Sequence, residues 1–385
     1  MLNFNTQTFL KDYWQKKPLV IKGGIAQFDD PLDEHDLAGL AELEEVDSRI
    51  ISHQNGEWHV EQGPFEDFEP LLKGDWTLLA QGVNQYIPEA AYLLDAFSFI
   101  PHWRMDDLMV SYSVANAGVG PHIDQYDVFI IQGRGSRRWQ VGNKKEYATV
   151  MPHPKLKQIA MFEPIIDEVL EPGDIIYIPP GFPHNGVALE PCLNYSVGFR
   201  APNQIQLLDN FTNHCIEHQK ANERYQDPSL AYRKYSAEMT RTEMNAMKKL
   251  VKAAIDSNEF EQWFLEFNSG LAYSCQEGEA DYDTDTPSEL IQAPYFDIER
   301  SLDTQTIFLE SEHGSLHFAI NGQSYQFEGV EADIHALKAL LSERITDANL
   351  VANMVKVPQL HQWLSLWVEL GYWEDISNTD AEFEE

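Results

Sequence analysis

His122 and Asp124 stand two residues apart in Gly120-Pro-His-Ile-Asp-Gln-Tyr-Asp127. A second histidine, His184, follows the run Glu171-Pro-Gly-Asp-Ile-Ile-Tyr-Ile-Pro-Pro-Gly-Phe-Pro183. On an extended segment residues i and i+2 leave the same face, so His122 and Asp124 point one way. The sixty residues from Asp124 to His184 leave room for several strands, and a β-barrel sets two such segments side by side. Two imidazoles and one carboxylate then cap one face of a metal ion. The remaining coordination positions stay open for a bidentate cosubstrate and dioxygen, the arrangement used by non-haem Fe(II) oxygenases. Four protein ligands would leave too few positions for both. Taken singly these signals are weak: His-x-Asp also describes a surface pair, and a histidine after a turn an ordinary loop residue. Their conjunction in strand context carries the reading.

The elements that must hold these residues are legible nearby. Leu108–Val114, Val128–Ile131, Arg138–Val141, Ile175–Ile178 and Tyr195–Phe199 are short apolar, β-branched or aromatic runs punctuated by Gly and Pro. They predict a mainly antiparallel sandwich or barrel over residues 1–202, with helical pieces at Thr8–Gln15 and Leu32–Leu43. Over 203–275 the strand signal fades. Met244, Met247, Leu250, Val251, Ala254 and Ile255 recur at helical spacing, and Phe260, Trp263, Phe264 and Phe267 continue it. That apolar face is either core or a dimer interface. Residues 276–288 form an acidic linker poor in apolar side chains. From 289 to 385, strand-like runs at Thr306–Leu309, Leu316–Ile320 and Ser324–Phe327 mix with helical patterns at Asp333–Leu341 and Val357–Leu370, an α+β tail.

Lys and Arg total 27 and Asp and Glu 62, a formal net charge of −35. Phosphate-binding proteins need a cationic surface, so this charge argues against direct nucleic-acid binding and suits a basic partner. The same charge also serves solubility alone. From Gln276 onward 4 basic residues face 23 acidic ones, which argues against DNA binding by the tail. The three cysteines, Cys192, Cys215 and Cys275, lack metal-ligand spacing and imply no disulfide framework. The chain shows no apolar signal or membrane run, so a soluble cytoplasmic protein is expected.

The Pro-Gly-Asp-Ile-Ile-Tyr-Ile-Pro-Pro-Gly-Phe-Pro-His run resembles the second motif of the cupin superfamily as found in JmjC oxygenases. It departs at Ala188, where that motif often carries Asn. His-x-Asp in place of the common His-x-His points toward the 2-oxoglutarate branch. Tyr13-Trp-Gln-Lys-Lys-Pro-Leu-Val-Ile-Lys22, Gly120–Gly133, Arg137-Arg-Trp139 and Asn194-Tyr-Ser-Val-Gly-Phe-Arg-Ala-Pro202 resemble the bacterial ribosomal oxygenases. The resemblance covers residues 1–202 at motif level and the remainder by layout.

It implies a double-stranded β-helix, the JmjC/cupin jelly roll, followed by a helical dimerisation region and a winged-helix-like C-terminal domain. It implies His122, Asp124 and His184 as ligands of Fe(II), with 2-oxoglutarate as cosubstrate and dioxygen as oxidant. It further implies hydroxylation of a basic large-subunit ribosomal protein, at arginine, by a homodimer. The distal carboxylate of 2-oxoglutarate needs a cation, and Arg134, Arg137 and Arg138 are at hand. The family pattern matches Arg137, with Ser113 as hydroxyl partner. Strand alternation lets at most one of Arg137 and Arg138 face inward, and Arg138 reads as a solvated edge arginine.

Ser113 is equally readable as an ordinary strand serine. Tyr126, Asp127, Asp106 and Asp107 are near enough in sequence to meet a substrate guanidinium, without being assigned to it. His53, His59, His102 and His153 lack a second ligand at metal spacing and read as structural or surface residues. Cys192 reads as a small buried residue. Two other functions use the same residues. One is a histidyl or asparaginyl hydroxylase, or an N-methyl demethylase, with the same iron chemistry. The other is a non-catalytic cupin-like binding module.

Overall fold

The computed structural model describes residues 2–270, 287–311 and 314–376. The expected linker at 276–288 falls almost wholly outside these residues, as does Cys275. Two compact units are present, Met1–Ala201 and Pro202–Glu385.

The first unit contains helices α1 (Thr6–Asp12), α2 (Glu34–Leu40) and α3 (Pro88–Asp95). Its strands are β1 (Leu19–Ile21), β2 (Ser48–Gln54), β3 (Glu57–Gln62), β4 (Asp75–Ala80), β5 (Met105–Ser113), β6 (His122–Ile123) and β7 (Asp127–Gln132). They continue as β8 (Arg137–Gly142), β9 (Thr149–His153), β10 (Leu156–Ile159), β11 (Pro164–Leu170), β12 (Ile175–Ile178), β13 (Pro183–Ala188) and β14 (Cys192–Phe199). An eight-stranded sheet runs β1-β12-β7-β14-β5-β4-β2-β3, and a four-stranded sheet runs β11-β8-β13-β6. All pairings are antiparallel, and β12-β7-β14-β5 with the smaller sheet makes the jelly roll.

Alternation explains the layers. In β14 Leu193, Tyr195, Val197 and Phe199 face one side, where they join Phe9, Phe97, Phe129 and Tyr177 in an aromatic core under the helices. Burying each such side chain stabilises the unit by roughly 1.5–3 kcal/mol. The opposite parity, Cys192, Asn194 and Ser196, faces the barrel interior beside Gln132 and Ile130 of β7 and Ser113, Ser111 and Met109 of β5. Polar residues on that inner face of otherwise apolar strands mark a lined cavity rather than a packed core.

The second unit begins with α4 (Gln204–Glu217), α5 (Arg241–Ile255) and α6 (Asn258–Ser269). Strands β15 (Ile298–Arg300), β16 (Thr306–Glu310), β17 (Leu316–Ile320), β18 (Gln323–Phe327), β19 (Ile345–Thr346) and β20 (Trp373–Asp375) follow, with α7 (Glu331–Ser342), α8 (Ala348–Met354) and α9 (Pro358–Glu369). Phe318, Leu337, Leu364, Trp367 and Trp373 are buried in its core. Helix α6 is shared: it packs on the β16–β18 sheet as well as on α4 and α5, and the Ser269 hydroxyl accepts the Gly322 N–H at 3.0 Å. By contrast α5 buries none of its residues, and Val251 on it is 62% exposed. Among the described residues no helix is long and apolar enough to cross a membrane.

Candidate active site

His122 on β6 pairs in register with His184 on β13, so two strands distant in sequence present their imidazoles together. The ring centroids are 4.2 Å apart. Asp124, just past β6, brings Oδ2 to 3.5 Å from His184 Nε2 and 3.9 Å from His122 Nε2. The Pro-Pro-Gly turn holds this corner: Gly181, at φ +82°, donates its N–H to the Asp124 carbonyl at 2.8 Å. The three ligand atoms lie within 4.8 Å of one another, a spacing that one metal ion spans.

The donor set fits a divalent transition metal in its protonation as well as its spacing. His122 Nδ1 lies 2.9 Å from the Gly120 carbonyl and His184 Nδ1 3.2 Å from that of Phe182. A carbonyl only accepts, so each Nδ1 carries the proton and each Nε2 turns its lone pair inward. Burial, followed by the neighbouring His184, pushes the His122 imidazolium down to about 4, which keeps the ring neutral. Burial alone would raise the Asp124 carboxyl. The contact with His184, then His122 and the Tyr126 hydroxyl, outweigh it and hold Asp124 at about 2. The result is two neutral nitrogens and one anionic oxygen on one face.

Arg137 opens β8 and points into the barrel, 3% exposed. Its Nη1 donates to Ser113 Oγ at 3.2 Å and to Asn194 Oδ1 at 3.0 Å, and Nη2 to the Gly186 carbonyl at 3.2 Å. Nε has no partner, and among the described residues no carboxylate pairs with the guanidinium. The next residue behaves oppositely: Arg138 is exposed and forms a bidentate pair with Asp167, both contacts 2.6 Å. A buried cation with an orphaned N–H and no anion is a site for an anionic ligand. Gly186 is part of that cradle, since a Cβ there would come 2.7 Å from Arg137 Nε and 2.8 Å from the Trp139 ring.

The JmjC domain family matches residues 92–207. Over 269 residues, 70% of this chain and 72% of that protein, the sequence is 49% identical to the ribosomal protein uL16 3-hydroxylase of Escherichia coli. An X-ray structure of Escherichia coli YcfD superposes with a TM-score of 0.85 at 39% identity, covering 97% of this chain and 99% of that one. The structure of the Escherichia coli ribosomal oxygenase YcfD with cobalt and 2-oxoglutarate gives 0.82 at 38% identity, over 98% and 99%.

The chain belongs to the JmjC ribosomal oxygenases.

In this ribosomal oxygenase the structure brings together all five residues singled out from the sequence. His122, Asp124 and His184 converge at one corner, and Ser113 and Arg137 share a hydrogen bond deeper in the barrel. Three further residues escaped the sequence reading. Asn194 and Gln132, 1% and 0% exposed, extend the Arg137 contacts, and Thr77 lies 2.9 Å from Ser113 with its hydroxyl. A polar side chain inside an apolar strand was their available signal, but the partner across the sheet was not.

The four candidates for a substrate guanidinium separate. Asp127 is fully buried and held by Tyr177, by Gln15 at 2.8 Å and by Arg104 at 3.4 Å, so it is a fold residue. Asp106 is paired with Arg200 at 2.9 Å. Among the described residues Asp107 accepts a backbone N–H, from Gly82 at 3.0 Å, while Arg200 acts on it from a distance. Burial, then the neighbouring Asp106 charge, pushes the Asp107 carboxyl up to about 6. Tyr126, half exposed, senses the charges of Asp124 and Asp107, with burial the main cause of its raised hydroxyl.

Proposed function

We propose that this protein is an Fe(II)- and 2-oxoglutarate-dependent hydroxylase of the large-subunit ribosomal protein uL16, acting on an arginine side chain. The observation that carries the reading is the unpaired, buried Arg137 behind an intact His122, Asp124 and His184 set. When bound, the iron and its cosubstrate supply the oxidising chemistry, with 2-oxoglutarate converted to succinate and carbon dioxide as one oxygen atom enters the substrate.

The chain's own residues bind, orient and exclude. His122, Asp124 and His184 hold the metal from one side and leave its other positions open. Arg137, with the Ser113 hydroxyl beside it, receives the distal carboxylate. The inner face of β5 then runs from Ser113 through Ser111 and Met109 to Asp107, about 20 Å at strand rise. Asp107 takes the substrate guanidinium at the mouth, and Tyr126 bounds that space. A carboxylate already starved of a cation favours an arginine over the neutral side chain of asparagine. Such placement holds the target C–H bond near the metal and does most of what a protein can do for this reaction.

The −35 charge supports a basic substrate. Residues 1–202 are the catalytic domain in this reading, 203–275 the dimerisation region and 289–385 a winged-helix-like, protein-facing domain, with no direct nucleic-acid contact. The exposed Ile205, Leu208 and Ile216 of α4 and Val251 of α5 support a second copy covering that face. Light scattering on the purified protein tests it, with a monomer at micromolar concentration refuting the dimer. The cytoplasm, where ribosomal proteins are made, is the proposed compartment.

The decisive experiment is succinate formation by iron-loaded protein with and without uL16, followed by peptide mass mapping, with His122→Ala as control. Substrate-stimulated succinate and one added oxygen on a single arginine are expected. An added oxygen on histidine or asparagine would move the target. Methyl loss with formaldehyde would indicate a demethylase. No succinate with metal bound would leave a non-catalytic module.

A further inference from the structure

The pocket behind the metal corner holds its cation in an unusual way. Among the described residues the three hydrogen bonds of the Arg137 guanidinium end on neutral oxygens: Ser113 Oγ, Asn194 Oδ1 and the Gly186 carbonyl. The adjoining Cys192 thiol is pushed up by burial, stays protonated and adds no charge. A buried guanidinium ordinarily recruits a carboxylate, as Arg138 recruits Asp167 one residue away at the surface. Here the position that could supply one, residue 194, is an amide.

The amide can face Arg137 in only one way, and Gln132 decides it. Gln132 Nε2 reaches the carbonyls of Leu193 at 3.1 Å and Gly133 at 3.3 Å. Carbonyls accept and never donate, so the NH2 end of Gln132 must lie there and its Oε1 must face Asn194. Asn194 Nδ2 then donates to that oxygen at 2.8 Å, which leaves only Oδ1 for Arg137 at 3.0 Å. The orientation follows from obligatory acceptors along the chain and needs no choice of rotamer. Gln132, Asn194 and Arg137 are all at most 3% exposed, so these bonds are shielded from bulk solvent.

We propose that Asn194 is a positioning residue that sets the preference for a dicarboxylate cosubstrate: its neutral oxygen, aimed by Gln132, fixes the Arg137 guanidinium while leaving its charge uncompensated for the cosubstrate's distal carboxylate. The proposal rests on the assignment of Arg137 as that carboxylate's anchor. Aspartate at 194 has nearly the same shape, keeps the hydrogen bond from Arg137 and cancels its charge, while losing the donor to Gln132. Alanine keeps the charge and loses both the acceptor for Arg137 and the donor to Gln132. Both lose the bond to Gln132, so the difference between the two substitutions separates the added charge from the lost volume.

The test is calorimetric binding to the Mn(II)-loaded full chain, with two ligands. 2-Oxoglutarate reaches both the metal and Arg137, whereas oxalate chelates the metal and is too short to reach the arginine. Asn194→Asp is expected to weaken 2-oxoglutarate about 10- to 100-fold, the worth of a charge-assisted bond. It is expected to change oxalate less than about twofold, and Asn194→Ala to weaken 2-oxoglutarate less than Asn194→Asp does. A structural role predicts the reverse order, because alanine leaves a hole and aspartate does not. Equal loss of both ligands in Asn194→Asp, or no loss of either, overturns the proposal. Arg137→Gln separates the layers: if it binds 2-oxoglutarate as tightly as the unmodified protein, the anchor assignment itself fails. If it loses 2-oxoglutarate while Asn194→Asp does not, only the role of Asn194 fails.

Discussion

The two ends of the barrel's inner face carry mirror-image electrostatics. At the deep end Arg137 is a buried cation without an anion, braced by neutral oxygens. At the mouth Asp107 is a largely buried anion without a paired cation, its carboxyl pushed up to about 6 by burial and then by Asp106. Both conditions cost free energy in the folded chain. Elsewhere in the same unit comparable charges are satisfied, Arg138 by Asp167, Asp174 by Lys22 and Asp106 by Arg200. On the proposed reading, the unpaired charges sit where ligands of opposite sign enter, an anionic cosubstrate at Arg137 and a cationic side chain at Asp107. The metal corner lies on the same unit and is held by both histidines and Asp124.

Removing the deep charge should have the largest effect. Arg137→Met is expected to weaken 2-oxoglutarate by about 100-fold or more, since a charge-assisted bond is lost and a hydrophobic stem replaces it. Thermal stability should hold or rise, because an uncompensated buried charge is gone. A calorimetric titration with a melting curve reads both, and a variant that melts early while binding normally would erase the contrast.

The mouth comes next. Asp107→Asn is expected to raise KM for uL16 about 10- to 100-fold while succinate formation without substrate stays unchanged. Steady-state kinetics with and without uL16 would show the split, and an equal fall in both rates would mean that Asp107 serves the fold. A pH series sharpens the same point. Below about 6 the Asp107 carboxyl takes up a proton, so KM for a cationic substrate should climb as pH falls through that value. The asparagine variant should lack this limb.

Stability should move the opposite way. The folded carboxyl is raised from 3.8, so its ionisation destabilises the fold progressively as pH rises from about 4 to about 6, and fully above that. Asp107→Asn removes this penalty and should stabilise the protein above pH 6 by on the order of 1–3 kcal/mol. Denaturant titrations at pH 5 and pH 7.5 would show it as a larger gain at the higher pH. The smallest effect belongs to Arg138. Its pair with Asp167 is exposed, so Arg138→Ala should leave melting temperature and 2-oxoglutarate affinity unchanged within error. A large loss there would mean that the two neighbouring arginines had been assigned to the wrong faces.

Much of the first unit was legible because its signals are local. Every strand run singled out over Leu108–Phe199 lies in or within a residue of a strand, from β5 to β14. The helical period over Met244–Ile255 matches α5. That period left open whether the apolar face was core, and among the described residues Met247, Leu250, Ala254 and Ile255 of α5 are only half-buried. The carboxylates near the metal motif were harder. Asp106, Asp107 and Asp127 look alike in sequence, yet one is spent on Arg200, one is locked in the core by Tyr177 and Gln15, and one accepts the Gly82 N–H.

The sequence by itself determined the ligand types, their order and the strands that carry them, because donor chemistry and period-two alternation are written in neighbouring residues. It also determined the acidity that suits a basic partner. The tertiary structure alone decided the registers His122 to His184 and Ser113 to Cys192, the inward turn of Arg137 and the seating of Asn194 between Gln132 and Arg137. Those outcomes depend on hydrogen bonds between strands up to 79 residues apart, and no local pattern encodes which oxygen a distant strand will present.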